Sequence, residues 1–391
     1  MQASSSGTLR LSCACLAVLW LAVLQANPVR AADGNALSSN ELPEVVVVGT
    51  TPMGSSALPA EQVPGNVQTL SGKQLQSGHA LSVADALNEG LGSVNVNDTQ
   101  GNPFQLDVNF RGFTASPVLG TPQGLSVFVD GARANEVFGD TVLWDLIPES
   151  ALANVLLIPG SNPVYGLSST GGTLAINTKS GFQFPGTSVE ASAGAFDRRN
   201  LIAQIGGHGQ VFDYFSTVNL FQDAGWGEHN GSQLFQWFSK VGYTDEATDV
   251  DLSYTRADAE LAGNQTLPLS WLDTPRESYT WPDTAHDSIN FINLQLRHEL
   301  ADGWALSGNL HERQVHSAAF NSNVNNDFNP AVAIEPANEP TDNVIGSSYQ
   351  ARTGGSAELS WVTLVAGRRN SFAAGVNRDL GTIDFAQHDQ P

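Results

Sequence analysis

Alternation of apolar and polar residues dominates the second half of the chain. The segment "NFINLQLRH" (290–298) alternates aliphatic with polar residues, and "DVDLSYT" (249–255) and "SAELSWVTLV" (356–365) do the same. A period of two places the apolar residues on one face of a β-strand. The pattern predicts nine strands, at 187–196, 199–206, 211–221, 233–243, 248–257, 286–299, 304–315, 351–364 and 370–381.

The lengths of the connections between these strands also alternate. The links after the second, fourth, sixth and eighth strands are short, whereas those after the third, fifth and seventh are longer. Outer-membrane β-barrels have short periplasmic turns and long extracellular loops. A soluble antiparallel sandwich also alternates apolar and polar residues, but it gives no reason for this order of lengths. We therefore expect antiparallel transmembrane β-barrel strands in residues 182–391.

Residues 63–181 have a mixed pattern instead. Helical spacing of apolar residues in "LSVADALNEGLG" (81–92), with Ser82 as a capping residue and Asp85 three positions later, predicts a helix. Short apolar segments bounded by Gly and Pro predict strands in "QLDVNF", "GLSVFVDG", "NVLLIPG" and "GTLAINTK". The sequence therefore predicts a small α+β domain.

The N-terminus has the composition of an export signal. The apolar run from Leu11 to Leu24 is shorter than the ~20 residues that a spanning helix needs. We predict a signal peptide at 1–31, with cleavage after Ala31 or, alternatively, after Ala26; a buried core helix is the other reading. Both cysteines lie in this segment, so a disulfide scaffold, thiolate metal sites and cysteine catalysis are excluded for the mature chain.

The net charge of the chain limits the classes of partner that it is expected to bind. Its 17 basic and 39 acidic residues give a net charge of −22, which argues against nucleic acid. The histidines show no metal-ligand spacing, and we find no catalytic constellation, so no metal, cofactor or catalytic residue is predicted.

Four segments in register resemble the N-terminal part of TonB-dependent outer-membrane receptors. They are "PEVVVVGT" (43–50), similar to the TonB box, and "DVNFRGF" (107–113), "VFVDGAR" (127–133) and "YGLSSTGGTLAINTKSG" (165–181), similar to motifs of the plug domain. The resemblance implies a flexible tail at 32–62 with the TonB box at 44–50, a plug at 63–181, and the N-terminal portion of the barrel at 182–391. It also implies TonB-dependent import of a scarce ligand, such as a ferric siderophore, across a Gram-negative outer membrane.

The resemblance assigns expected roles to particular residues. The extended run would add as a strand to TonB, which an inner-membrane complex energises; the residues are Glu44, Val45, Val46, Val47 and Val48. The alternative for this run is an edge strand of the plug. Ligand would contact the plug loops Gly112–Gln123 and Ala132–Trp144, through Arg133, Asn135, Phe138, Asp140 and Trp144. Arg111 would anchor the plug to the barrel.

The chain departs from the family pattern at two places. "NVLLIPGSNPVYG" has Val155 and Ile158 where the family has an acid and a base, which removes the ionic plug–barrel contacts expected there. Nine strands are also fewer than the ~22 of plugged transporters, and the chain ends in the polar "FAQHDQP". We therefore expect a fragment or a truncated gene product.

Two other functions remain open at this point. One is a truncated, non-transporting receptor or a plug-like ligand-binding module. The other is a secreted β-rich enzyme with a Ser/His/Asp set, although the G-x-S-x-G elbow that such a serine uses does not occur in the sequence.

Overall fold

The computed structural model describes residues 47–49, 57–59, 63, 65–78, 80–263, 267–301, 303–325, 327, 329, 331–333 and 341–390. The predicted signal peptide and Glu44, Val45 and Val46 lie outside the described residues. Strand β1 (Val47–Gly49) pairs antiparallel with β2 (Ala57–Pro59). The end of the valine run is therefore extended, as predicted, but it has a strand partner in its own chain.

The predicted plug domain contains two sheets. One is formed by β3 (Gln68–Ser71), β7 (Leu125–Val129), β8 (Ala132–Arg133), β9 (Leu152–Pro159) and β10 (Gly172–Thr178), in the order β3-β9-β10-β7-β8. The β7–β10 pair is parallel and the other pairs are antiparallel. The second sheet is formed by β4 (Val94–Asn97), β5 (Asp107–Phe110) and β6 (Phe113–Ala115). All four strand segments predicted for this region are present.

Two short helices pack on these sheets: α1 (Gly72–Gly78) contacts β3 and β9 of the first sheet, and α2 (Val83–Gly90) contacts β4 and β5 of the second. The Ser82 hydroxyl accepts a hydrogen bond from the Asp85 N–H at 3.2 Å, so the predicted cap and helix are confirmed. Helix α2 buries Val83, Ala84 and Leu87 against the plug core. No helix in the described residues is both long and apolar enough to cross a membrane. Short 3-10 turns occupy Trp144–Leu146, Glu149–Ala151, Pro163–Tyr165 and Leu269–Trp271.

The rest of the chain forms one antiparallel sheet of nine strands. They are β11 (Gly186–Ala193), β12 (Arg199–His208), β13 (Phe212–Asp223), β14 (Ser232–Thr244), β15 (Thr248–Ala262), β16 (Asp283–Ala301), β17 (Trp304–Asn321), β18 (Asn343–Val365) and β19 (Arg368–Gln390). Each strand pairs with the next, and β11 and β19 stand at the two ends, so the sheet is not closed. The predicted fold class, an α+β plug followed by strands of an incomplete barrel, is confirmed.

The links between strands divide the sheet into two ends. The turns 209–211, 245–247, 302–303 and 366–367 are short, and the strand ends that flank them form what we call the lower end. The strand ends that flank the links 194–198, 224–231, 263–282 and 322–342 form the upper end, and the last two links are long. The predicted order of lengths is present. Strands β18 and β19 each contain 23 residues and extend well beyond their predicted limits, mainly towards the upper end.

The two faces of the nine-stranded sheet differ as the alternation predicts. On β16, Ile292 and Leu294 are 45% and 37% exposed on the outer face. Asn293 and Gln295, on the inner face, both donate hydrogen bonds of 2.9 Å to the Asp130 carbonyl of the plug. The inner face therefore packs on the plug, and the outer face presents aliphatic residues to the surroundings.

Candidate functional site

The predicted ligand loops of the plug lie near the upper end of the sheet. The Phe138 N–H donates to Oε1 of Gln350 on β18 at 2.9 Å. The Phe138 ring also lies 4.9 Å, centroid to centroid, from the ring of Phe385 on β19. These contacts place the 134–143 loop against β18 and β19, in the parts of these strands towards the upper end.

A cavity of about 260 Å³, which we call cavity A, lies between these loops and the sheet. The plug contributes apolar residues and amides, and the strands contribute small polar residues, amides and two aspartates. The lining includes Gln100, Gln105, Val118, Leu119, Phe138, Asp283, Asp287, Ser317, Asn321, Gln350, Phe385 and Gln387. Cavity A therefore combines an aromatic pair with hydrogen-bonding groups, a mixture suited to a polar ligand with an apolar part.

A second cavity of about 720 Å³, which we call cavity B, separates the plug from β18 and β19. Arg133 and Asp140 line it and form an ion pair of 2.7 Å with each other. Arg133 also donates to the Leu167 carbonyl at 2.7 Å. The Arg133 guanidinium is thus held by the plug, although it borders the cavity.

Two of the predicted ligand residues belong to the plug core. Asn135 is fully buried; its amide donates to the Leu125 and Asp140 carbonyls, and its oxygen accepts from the Val127 N–H. Trp144 is 1% exposed and its indole N–H donates to the Ala115 carbonyl at 3.3 Å. Both side chains therefore have their hydrogen bonds satisfied within the plug. Of the other predicted ligand residues, Phe138 borders cavity A and Arg133 and Asp140 border cavity B, and ligand contact by all five stays a prediction.

An ion pair joins the plug to the middle of the sheet. Asp130, at the turn between β7 and β8, lies 3.1 Å from Lys240 Nζ on β14, and both side chains are buried. The same carboxylate accepts from the Thr178 N–H at 2.9 Å, which ties it to the end of β10. Asp130 adopts a φ of 46°, a left-handed conformation that Asp tolerates better than most residues.

A second ion pair lies close to the candidate ligand loop. Arg313 on β17 contacts both carboxylate oxygens of Glu136, at 2.8 and 2.6 Å, and both side chains are buried. Nearby, Arg352 on β18 donates to the Arg133 carbonyl at 3.0 Å. The loop that carries Phe138 is therefore attached to the sheet by charge-assisted contacts at its base.

Sequence analysis missed these two anchoring pairs and predicted Arg111 as the residue that anchors the plug. Val155 is fully buried in the plug core, as its apolar character requires. Arg111 is exposed, with its guanidinium 4.9 Å from the Phe110 ring centroid, and it forms no ion pair within the described residues. A usable signal was present: Asp130 lies in the quoted "VFVDGAR" motif, and Lys240 and Arg313 are basic residues at inward positions of alternating strands.

The plug is also held where its chain enters the sheet. The Lys179 ammonium donates to the Ser150 carbonyl at 2.9 Å and to Gln204 Oε1 at 3.0 Å on β12. Burial lowers the pKa of Lys179 to about 8. Gly181 follows, and a Cβ at this position would lie 2.2 Å from the Gly207 carbonyl oxygen, so only glycine fits here.

Asp145 is a buried acid at the boundary between plug and sheet. Its carbonyl accepts from Nε2 of Gln236 on β14 at 2.7 Å, but its two carboxyl oxygens have no hydrogen-bond partner among the described residues. Burial and, secondarily, the Asp287 carboxylate raise the pKa of Asp145 well above its usual value. The docked plug therefore disfavours ionisation of this carboxyl.

Comparison with known proteins agrees with this architecture. Residues 59–173 match the family model of the TonB-dependent receptor plug domain. No curated protein matches the sequence.

Several solved receptors share the fold of the chain at low sequence identity. The ferripyoverdine receptor of the outer membrane of Pseudomonas aeruginosa is 13% identical, with a TM-score of 0.69 over 88% of this chain and 45% of the receptor. The ferric citrate transporter FecA is 12% identical, with a TM-score of 0.68 over 83% and 49%. The ferric-catecholate import receptor Fiu of E. coli K12 is 14% identical, with a TM-score of 0.68 over 85% and 51%.

The chain thus spans about half the length of these solved receptors. The plug matches by sequence, and the plug with its nine strands matches by structure. The chain therefore carries a TonB-dependent receptor plug domain and has the fold of the TonB-dependent outer-membrane receptors.

Proposed function

We propose that this chain takes part in TonB-dependent import of a ferric chelate across a Gram-negative outer membrane. The observation that carries the proposal is the plug seated on the inner face of the strands, with its 134–143 loop bordering cavity A at the upper end. Solved proteins of the same fold are named as ferric citrate, ferripyoverdine and ferric-catecholate receptors. The chain would be exported by residues 1–31 and would act as a transporter, not an enzyme.

The structure supports a path from ligand to plug within this proposal. A ligand in cavity A contacts Phe138, whose loop begins beside Glu136 and its partner Arg313. Earlier in the chain, in the turn between β7 and β8, Asp130 binds Lys240. Displacement of the 134–143 loop would therefore change the geometry of the Glu136–Arg313 and Asp130–Lys240 ion pairs, which hold the plug to the sheet.

Energy would reach the plug from its N-terminal side. We propose that Glu44 to Val48 bind TonB as an added strand, with residues 63–181 as the plug and 182–391 as barrel strands. The pairing of β1 with β2 shows that the backbone at Val47 and Val48 accepts a strand partner in an antiparallel register. TonB would take the place of β2 or bind the free side of β1.

Uptake of radioactive iron tests the proposal. Cells that lack their own ferric receptors would express the chain, and ⁵⁵Fe accumulation from ferric citrate, a ferric trihydroxamate and a ferric tris-catecholate would be measured with and without TonB. We expect accumulation of at least one chelate only when TonB is present. Surface binding that is never followed by accumulation would support the non-transporting ligand-binding module instead.

A further inference from the structure

The charged groups that line cavity A are of one sign. Within the described part of the chain they are Asp283 and Asp287 of β16, and no Lys, Arg or His side chain borders the cavity. The remaining polar lining consists of neutral amides and hydroxyls, such as Gln105, Gln387 and Ser317. An anionic ligand entering cavity A would meet no cation to offset the loss of its hydration.

The two aspartates differ in what they bind. Both carboxylate oxygens of Asp283 accept hydrogen bonds, one from the Ser322 N–H at 2.8 Å and the other from the Thr280 hydroxyl at 2.7 Å. Asp287 is 2% exposed, and its Oδ1 accepts no hydrogen bond from any described residue. Ser317 of β17 lies directly opposite Asp287 in the strand pairing. A buried carboxylate oxygen without a donor costs free energy until a donor reaches it.

The neighbouring cations are already occupied. Arg313 is bound by Glu136, and Arg133 by Asp140. Cavity B, on the far side of the Phe138–Gln350 contact, has two arginines in its lining against the four carboxylates of Glu136, Asp140, Glu358 and Asp379. Neither cavity therefore offers an uncompensated positive charge, whereas cavity A offers Asp287 Oδ1, which lies near the buried Asp145 carboxyl and accepts no hydrogen bond from a described residue.

We infer that cavity A selects a ferric chelate that carries a cationic donor group, and that Asp287 is the residue that receives this group. The inference rests on the import proposal and names its substrate class. The ammonium or guanidinium of the ligand would donate to Asp287 Oδ1, while an apolar arm would pack on the Phe138 and Phe385 rings, whose centroids lie 4.9 Å apart. Amides such as that of Gln105 would serve the oxygens of the chelate.

A pair of chelates that differ only in charge tests this inference. The purified full chain in detergent would be titrated with ferrioxamine B, a ferric trihydroxamate with a free ammonium group, and with its N-acetylated derivative, using quenching of tryptophan fluorescence. We expect the Kd of the ammonium form to be lower by about tenfold or more, as for other close charge pairs. Equal Kd values, or tighter binding of ferric citrate or of a ferric tris-catecholate, would overturn the inference.

Two variants assign the effect to one carboxylate. Asp287→Asn keeps the size of the side chain and should bring the two Kd values together. Glu312→Gln removes a charge from the neighbouring strand β17 at a position on the outer face, and it should leave the preference intact. A preference that survives in Asp287→Asn would show that Asp287 does not receive the cation. The comparison of the ammonium and N-acetylated chelates on the unmodified protein needs no variant, so it tests the inference even if a variant does not fold.

The binding data separate this inference from the import proposal. Tighter binding of an anionic chelate, together with TonB-dependent accumulation, would overturn only the charge preference. A failure of all these chelates to bind would overturn the preference, and TonB-independent accumulation would overturn the import proposal.

Discussion

Lys240 of β14 and Asp130 of the plug form an ion pair of 3.1 Å in which the two side chains are only 4% and 5% exposed. They come from parts of the chain that are 110 residues apart in sequence. The Asp130 carboxylate also accepts from Thr178 of β10, and its carbonyl accepts from Asn293 and Gln295 of β16. This one turn therefore contacts two strands of the nine-stranded sheet, β14 and β16. The turn is therefore a principal attachment of the plug.

We expect Lys240→Met to destabilise the docked plug by about 3–5 kcal/mol, because it leaves the Asp130 carboxylate buried without its cation. The free energy of unfolding in urea, measured on the purified chain, checks the magnitude. Limited proteolysis should also cut the 63–181 region sooner in the variant. Combining Lys240→Met with Asp130→Asn should recover part of the loss, since the carboxylate closest to Lys240 is then uncharged and only Asp251, 3.8 Å from Lys240 Nζ, still lacks its cation.

The matched control is an exposed ion pair. Arg297 and Glu299 lie 2.5 Å apart at the lower end of β16, with side chains 41% and 48% exposed. Arg297→Gln should cost only about 0–1 kcal/mol, as exposed pairs do. Similar losses in Lys240→Met and Arg297→Gln would contradict the special role given to the buried pair.

Asp145 should make stability fall as pH rises. Its carboxyl faces Asp287, Glu136 and Arg313, and burial raises its pKa in the folded protein well above its usual value. The contribution to stability is then fully present below the ordinary pKa of Asp and is lost as pH rises through the raised value. Asp145→Asn cannot ionise, so its urea midpoint should exceed that of the unmodified protein at about pH 8 and approach it at about pH 4. An advantage that is the same at both pH values would contradict this assignment.

Asp245 should show the opposite dependence on pH. It lies in the exposed 245–247 turn, where the hydroxyl of Tyr243 and the N–H groups of Ala247 and Thr248 donate to it, and these bonds lower its pKa to about 2. Its contribution is present above the ordinary pKa of Asp and is lost as pH falls through the lowered value. Asp245→Asn should therefore lower the urea midpoint at neutral pH, with a difference that shrinks towards acidic pH.

The two faces of β16 should tolerate charge very differently. Leu294 is 37% exposed on the outer face, whereas Gln295 faces the plug and contacts Asp130. An arginine at a lipid-facing position near the midplane costs roughly 2–4 kcal/mol, and one on the inner face costs far less. Leu294→Arg should reduce the amount of assembled, heat-modifiable protein much more than Gln295→Arg. Equal assembly of both variants would mean that the outer face does not meet lipid.

The valine run should be needed for energy coupling but not for ligand binding. Val46→Pro removes a backbone N–H and fixes φ, so it should prevent strand addition to TonB. Iron accumulation should be lost while chelate binding at the cell surface remains. Val46→Thr keeps both the N–H and the β-branched side chain, and it should behave like the unmodified protein. Normal accumulation in Val46→Pro would exclude Glu44 to Val48 as the coupling segment.

The upper end of the sheet should face the outside of the cell. Leu269, 84% exposed in the 263–282 link, and Glu246, exposed in the 245–247 turn, mark the two ends. The native cysteines, Cys13 and Cys15, lie in the predicted signal peptide. Leu269→Cys should therefore react with an impermeant maleimide on intact cells, and Glu246→Cys only after the outer membrane is permeabilised. The reverse order would invert the topology and move cavity A to the periplasmic side.

Local pattern was sufficient to predict α2, four plug strands and the nine strands of the large sheet, but it missed α1, β3, β4, β6 and β8. Ser82 caps α2 because a hydroxyl three residues before an N–H is a local relationship that the sequence shows directly. Alternation placed Leu294 outward and Gln295 inward for the same reason. The upper extension of β18 could not be predicted, since Gly346, Ser347 and Ser348 show no alternation and become strand by pairing with β17 and β19.

The candidate site depended on contacts that sequence does not show. A polar or aromatic residue on a loop, such as Asn135 or Trp144, satisfies its hydrogen bonds either with ligand or with its own domain, and only the structure shows the second. The pairing of Asp130 with Lys240 is likewise a product of docking. Phe138, which has an apolar ring in an exposed loop, borders cavity A, and its contact with ligand stays a prediction.

The length of β18 has a consequence for how binding preference can change. A strand needs about 9–11 residues to cross a bilayer, and β18 has 23, so much of the wall beside cavity A is regular sheet and not loop. Inward positions on such a wall recur every second residue, about 6.6 Å apart, as Ser317, Ala319 and Asn321 do on β17. Each of these positions can be substituted without moving the backbone that carries the others. The side chains that line this wall of the cavity can therefore be replaced one at a time, in evolution or by design, so that the binding preference changes while the sheet does not.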